Sequence, residues 1–150
     1  MKKFLLIFIF LISSCSYQPI YVNKSLKNIE FSKITTEGDA DINRKIIGSL
    51  SFNENEFDDT LNSLLIKSSY NILETSKNTK GQVQSYRSVI LVKLIINRKK
   101  ERVLDKSFIK EFTYANKDKK SELIQYQNEI KQNLLNKIIE DITLFINLQW

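Results

Sequence analysis

The sequence predicts an α+β fold, a two-layer sandwich of about four mainly antiparallel strands with two helices on one face. Three observations carry this expectation. From Leu64 to Tyr114 three runs rich in Ile, Val, Leu, Phe and Tyr are separated by short polar turns, the pattern of an antiparallel meander. Near both ends of this region apolar residues recur instead at helical spacing, briefly around Ile42 to Leu50 and at length from Leu123 to Ile146. With 3 Gly and 1 Pro in 150 residues, the chain has no loop-dominated or linker-rich stretch.

The elements follow in order. Asn28 to Ile34 reads as a short strand, with Ile29 and Phe31 two apart, and Thr35 to Asp39 as a turn around Gly38. Asp39 or Asp41 is placed to cap a helix over about Ala40–Leu50, whose Ile42, Ile46, Ile47 and Leu50 share a face and whose weak point is Gly48. Phe52 to Asp59 holds four carboxylates, but their spacing departs from a calcium loop, which places ligands at positions 1, 3, 5 and 12 around a Gly at about position 6. This stretch reads as a solvated loop or edge.

Leu64 to Thr75 alternates, with Leu64, Ile66, Tyr70 and Ile72 on one parity and Lys67, Ser69 and Asn71 on the other. Lys77 to Gly81 then forms a hairpin connection with a Gly suited to positive φ. The next strand, about Val83–Asn97, is apolar on both parities from Val89 to Ile96, apart from Lys93. It is therefore expected at the centre of the sheet, covered on both faces or flanked by a partner. Asn97 to Arg102 is a strongly basic turn, and Val103 to Tyr114 returns with Leu104, Phe108, Phe112 and Tyr114 on one side. Asp118 or Ser121 caps a final helix from about Glu122 to Asn147. Its stripe comprises Leu123, Ile130, Leu134, Leu135, Ile138, Ile139, Ile142, Phe145 and Ile146. This long helical period excludes a membrane barrel, despite the terminal aromatic Trp150.

The N-terminus has a different character. Met1-Lys2-Lys3 precedes nine apolar residues, Phe4 to Ile12, then Ser13, Ser14 and the single cysteine, Cys15. Nine residues are too few for a spanning helix of about 20, and fit the apolar region of a secretory signal. The stretch resembles the lipobox of bacterial lipoproteins, which implies cleavage before Cys15 and lipid on its thiol. The expected organisation is a signal at residues 1–14, a lipidated tether at 15–27 and one domain at 28–150. The mature 136 residues carry a formal charge of +4 rather than +6, because Lys2 and Lys3 leave with the signal.

Composition narrows the function classes. The chain has no His, and therefore lacks the commonest general base and metal ligand near neutral pH. It has no Gly-rich phosphate loop and no Gly-x-Ser-x-Gly elbow. The reading is of a non-enzyme with no cofactor and no metal site. A mixed-charge surface on an exported chain also argues against nucleic acid. The remaining charged features are two basic turns. Arg98, Lys99, Lys100 and Arg102 form the stronger anion candidate, and Lys77 with Lys80 the weaker; consecutive hairpin turns lie at opposite ends of a sheet.

The run Cys15-Ser16-Tyr17-Gln18-Pro19-Ile20-Tyr21, the strand–helix–three strands–helix order and the size together resemble the lipopolysaccharide-assembly lipoprotein family LptE, in its alphaproteobacterial form. Ser16 and Ile20 stand where that family commonly has Gly and Leu. The resemblance implies a lipoprotein of the outer membrane that fills the lumen of the β-barrel LptD. It also implies help in assembling that barrel and contact with lipopolysaccharide. The cationic turn at Arg98–Arg102 supplies the donors a phosphate-bearing lipid needs. The 12-residue segment Ser16–Lys27 spans at most about 40 Å when extended, enough to reach from the periplasmic leaflet into a barrel. The alternative is a generic envelope lipoprotein acting as a protein-interaction module.

Overall fold

The computed structural model describes residues 29–58, 60–98 and 103–149. The expected signal and tether, with Cys15, lie outside the described residues, as do Asp59, Lys99, Lys100, Arg102 and Trp150. The described elements are β1 (Ile29–Phe31), β2 (Lys33–Gly38), α1 (Ala40–Ser49), β3 (Phe52–Glu54), β4 (Ser63–Lys77), β5 (Val83–Asn97), β6 (Leu104–Ala115) and α2 (Lys120–Gln149). The main sheet has the order β2-β4-β5-β6, with β2 parallel to β4 and the other pairings antiparallel. Helix α1 packs over β2 and β4, and α2 over β5 and β6, giving the expected two-layer α+β arrangement.

Three local expectations are corrected. The first strand is two strands: at Ser32 the chain leaves one partner for another, and the Ser32 amide bonds to the Asn62 carbonyl (2.9 Å). The expected turn at Thr35–Asp39 is mostly strand, because Thr35 to Gly38 pairs in register with Leu65 to Ser68. The acidic stretch begins with β3, whose parallel pairing with β1 buries Phe52 edge-on against Phe31 (5.3 Å between ring centres). Burying a large apolar side chain contributes about 1.5–3 kcal/mol, enough to draw the start of an otherwise solvated segment into the sheet layer.

The passage from β2 into α1 depends on Gly38. Its φ is +92°, and a Cβ there would lie 1.8 Å from the Ser68 carbonyl oxygen. This approach lets the Asp39 amide bond to Ser68 O (3.2 Å) while Ser68 Oγ donates to Asp39 O (3.1 Å). Asp39 is the helix cap, with its carboxylate accepting from the amides of Asp41 and Ile42, both at 3.0 Å. Helix α2 starts at Lys120, so Ser121 lies inside it; at its entrance the Lys119 carbonyl accepts from the Leu123 amide (3.1 Å).

The core lies between the helices and the even-numbered positions of the main sheet, with Ile29 and Phe31 of β1 and Phe52 of β3 joining it. Ile66, Ile90, Val92, Leu94 and Ile96 meet Ile42 and Ile46 of α1 and Leu135, Ile138 and Ile142 of α2 in one buried cluster. Ile72, expected on the buried parity, is 40% exposed. Beyond Tyr70 every β4 residue is exposed, so the hairpin projects past the cover of the helices.

Candidate interaction face

The odd-numbered positions of the four-stranded sheet face away from both helices. Register places them in rows across the sheet: Thr35–Leu65–Ile95–Asp105, Glu37–Lys67–Lys93–Ser107, Ser69–Leu91–Ile109 and Asn71–Val89–Glu111. Leu65, Val89, Leu91 and Ile95 are half-buried by their neighbours, and Ile109 is 56% exposed. No described helix or loop covers this face. The central strand therefore has one covered side, and its second apolar parity forms the floor of an open surface.

Charge on this surface is arranged in neutral pairs. Lys67 and Lys93 stand directly opposite each other, a like-charge placement that alone would be unfavourable. Each is met from a flanking strand: Glu37 reaches Lys67 at 2.7 Å and Asp105 reaches Lys93 at 2.8 Å. Further along, Arg87 approaches Glu111 (3.7 Å) and its Nε donates to Thr113 Oγ1 (3.2 Å). Such half-exposed pairs add only about 0–1 kcal/mol each to stability. Their effect is to leave an aliphatic surface crossed by fixed, self-compensated charge.

The covered side has a polar seam that the sequence did not reveal. Lys131 of α2 binds the Asp39 carboxylate (3.0 Å), and its ammonium stands 5.0 Å from the centre of the Tyr70 ring. The Tyr70 hydroxyl meets Ser88 Oγ (3.1 Å), which also meets the Tyr114 hydroxyl (3.2 Å). Ser88 is fully buried on the central strand. Burial pushes the Asp39 carboxyl up, but the Ile42 amide and Lys131 outweigh it and hold the group below its ordinary 3.8. Burial raises the Tyr70 phenol above its ordinary 10.0. The seam is fully paired and ties α1, α2 and the sheet together. Its only sequence signal was the parity that puts Tyr70 and Ser88 on the buried side.

The described cations of the two basic turns lie at opposite ends of the sheet, as expected. Arg98 follows the end of β5, while Lys77 and Lys80 lie at the β4–β5 turn at the opposite end. Lys77 is engaged with Glu74 (2.9 Å), and that hydrogen bond raises its pKa above 10.5. The turn itself is organised by Asn78, whose Oδ1 accepts from the amides of Lys80 and Gln82, both at 3.0 Å, and Gly81 takes a φ of +77°. Two carboxylates of the acidic stretch serve local structure. Glu54 accepts from the Ile34 amide (3.3 Å), and Asp58 from the amide and hydroxyl of Thr60 (2.9 and 2.6 Å). Among the described residues no group of three or more Cys, Asp or Glu is placed to hold a metal, and no helix is long and apolar enough to cross a membrane.

No protein-family model and no curated protein matches this sequence. The fold does have solved counterparts, among them bacterial lipoproteins by description. Rare lipoprotein B from Shewanella oneidensis superposes with a TM-score of 0.53 at 11% identity, over 79% of this chain and 99% of its own. A lipoprotein B from Nitrosomonas europaea gives 0.57 at 10%, covering 84% and 88%. A minor lipoprotein from Acinetobacter baumannii gives 0.50 at 12%, covering 79% and 94%. The chain thus shares the two-layer α+β fold of these proteins over nearly their whole length.

Proposed function

We propose that this chain is a lipid-anchored envelope protein that acts by binding, not catalysis, and that its open sheet face docks on a partner protein. The observation that carries this reading is the second apolar parity of β5: Val89, Leu91 and Ile95 form an aliphatic floor that no described helix or loop covers. Exposed apolar surface rimmed by polar groups is characteristic of interaction sites. The lipobox at Cys15 and the fold shared with bacterial lipoproteins support the anchor.

The partner we propose is an LptD-type β-barrel of the outer membrane, which the chain fills and helps to assemble. Support comes from the sequence resemblance to LptE and from a surface whose charges are neutralised in pairs, suited to the polar lumen of a large barrel. Lipopolysaccharide is the proposed ligand of the cationic Arg98–Arg102 turn, where guanidinium and ammonium groups match phosphate. The test is capture of the tagged full-length protein from detergent-solubilised outer membrane. Recovery of a large barrel near one-to-one is expected. Recovery of a different envelope protein would leave the interaction module and remove the barrel.

A further inference from the structure

We propose that the end of the sheet where the chain enters the domain is a phospholipid contact surface, with Phe57 as its principal inserting side chain. This rests on the lipid anchor at Cys15 proposed above. Lys33 opens β2 opposite Ser63, which opens β4, and Ser63 is opposite Asn97, which closes β5. Ile29 to Ser32 therefore enters at this end, and Cys15 lies fourteen residues before Ile29 in the sequence. The loop between β3 and β4 is tied beside this entrance at both of its ends. The Asn55 amide donates to Phe31 O (2.8 Å), and the Asn62 carbonyl accepts from Ser32 (2.9 Å). Phe57 projects from that loop and is 100% exposed.

Two further apolar side chains lie toward the same end. Val103, 54% exposed, precedes Leu104, which is paired with Ile96. Helix α2 runs back along β6, from Tyr126 beside Tyr114 to Phe145 beside Phe108, so Leu148 (82% exposed) lies further in this direction. The opposite end differs in composition. Its connections, Asn78 to Gln82 and Asn116 to Lys119, contain no large apolar residue. A tether attached at the end that carries Phe57, with an acyl chain at its start, keeps that end nearer to a bilayer than the opposite one. An exposed Phe and Leu then gain by burial at the headgroup boundary. The Phe57 loop carries Glu56, Asp58 and Asp59, so anionic headgroups do not attract the loop itself; the cations that begin at Arg98 follow β5 at the same end of the sheet, and insertion of Phe57 is the apolar, salt-insensitive part of the contact.

The test uses full-length protein purified from membranes in a Trp150→Phe background, with either Phe57→Trp or Thr79→Trp supplying the single indole fluorophore. Both positions are exposed, so neither variant disturbs the core. In vesicles of phosphatidylethanolamine and phosphatidylglycerol, part of the lipid is replaced with brominated lipid. Emission of the Phe57→Trp variant is expected to fall roughly twofold, and that of the Thr79→Trp variant to stay unchanged. The quenching should persist at high salt. Equal responses of the two variants overturn the proposal. So does a blue shift of the Phe57→Trp emission without bromine quenching, which would report a protein contact such as a second copy. The mass of the same sample separates this from the anchor reading. Acylated Phe57→Trp protein that bromine leaves unquenched sinks the contact alone, whereas quenching of unacylated protein sinks the anchor and keeps the contact.

Discussion

The two sides of β5 are built from nearly the same residues and end in different environments. On one side Ser88, Ile90, Val92, Leu94 and Ile96 are no more than 1% exposed beneath α1 and α2. On the other, Val89, Leu91, Lys93 and Ile95 are half-buried, shielded among the described residues by their neighbours in the sheet. Even the polar residues divide. Ser88 is locked between two tyrosine hydroxyls, and Lys93 is balanced by a carboxylate at the surface. The difference teaches that apolar content alone did not decide burial. Among the described residues the helices cover one side only, and the proposed partner surface is the other.

The largest expected effect tests how the covered side is closed. Gly38→Ala puts a methyl group into the Ser68 carbonyl at a backbone angle that disfavours side chains, and should cost about 3–5 kcal/mol in urea unfolding. A cost below about 1 kcal/mol would mean that β2 and α1 meet differently. The sharpest contrast comes next: Leu94→Ala, on the covered side, should lose about 2–5 kcal/mol, while Ile95→Ala, its neighbour on the open side, should lose less than about 1.5 kcal/mol in the isolated protein. Similar losses would break the comparison.

The polar seam should give a smaller, pH-dependent effect. Asp39 has a folded pKa below its ordinary value, so the unfolded chain binds its proton more tightly. The resulting stability is present above about pH 4 and is lost as pH falls through the folded pKa. Asp39→Asn, which keeps a capping oxygen, should flatten this part of the acid-unfolding profile and cost about 1 kcal/mol near neutrality, since the pair with Lys131 is only partly shielded. An unchanged acid limb would show that the seam is not coupled to folding. The smallest effect belongs to the open face: Asp105→Asn leaves Lys93 opposite Lys67, and should cost about 0.5 kcal/mol, less at high salt. A salt-independent loss would contradict the electrostatic account of the row.

Much of the fold was legible because its signals are local. The bounds of β5, Val83–Asn97, follow from polar turns on both sides, and the stripe on α2 was readable from Ile130 to Ile146 because a helix repeats its buried face. The break at Ser32 was not legible, since its cause is a carbonyl thirty residues away at Asn62. Strand β3 likewise depends on Phe31 and Phe52 meeting across α1. The open face was half legible: two apolar parities from Val89 to Ile96 marked a central strand, covered on both faces or flanked by a partner, but only the placement of the helices identifies which face the described residues leave open. Of the basic candidates, Arg98 is located at the end of β5, and Lys99, Lys100 and Arg102 fall outside the described residues.

The central claim concerns the aliphatic floor, and the most direct measurement places charge on it. In full-length protein, Leu91→Asp combined with Ile95→Asp is compared with wild type and with Gln125→Asp combined with Asn128→Asp on the outer side of α2. Circular dichroism reports the fold, and quantitative capture from solubilised outer membrane reports the partner. The account predicts that both variants stay folded, that the α2 variant recovers the partner at wild-type yield, and that the open-face variant loses it by at least about tenfold, equivalent to about 1.4 kcal/mol in affinity. Wild-type recovery by a folded open-face variant would contradict it.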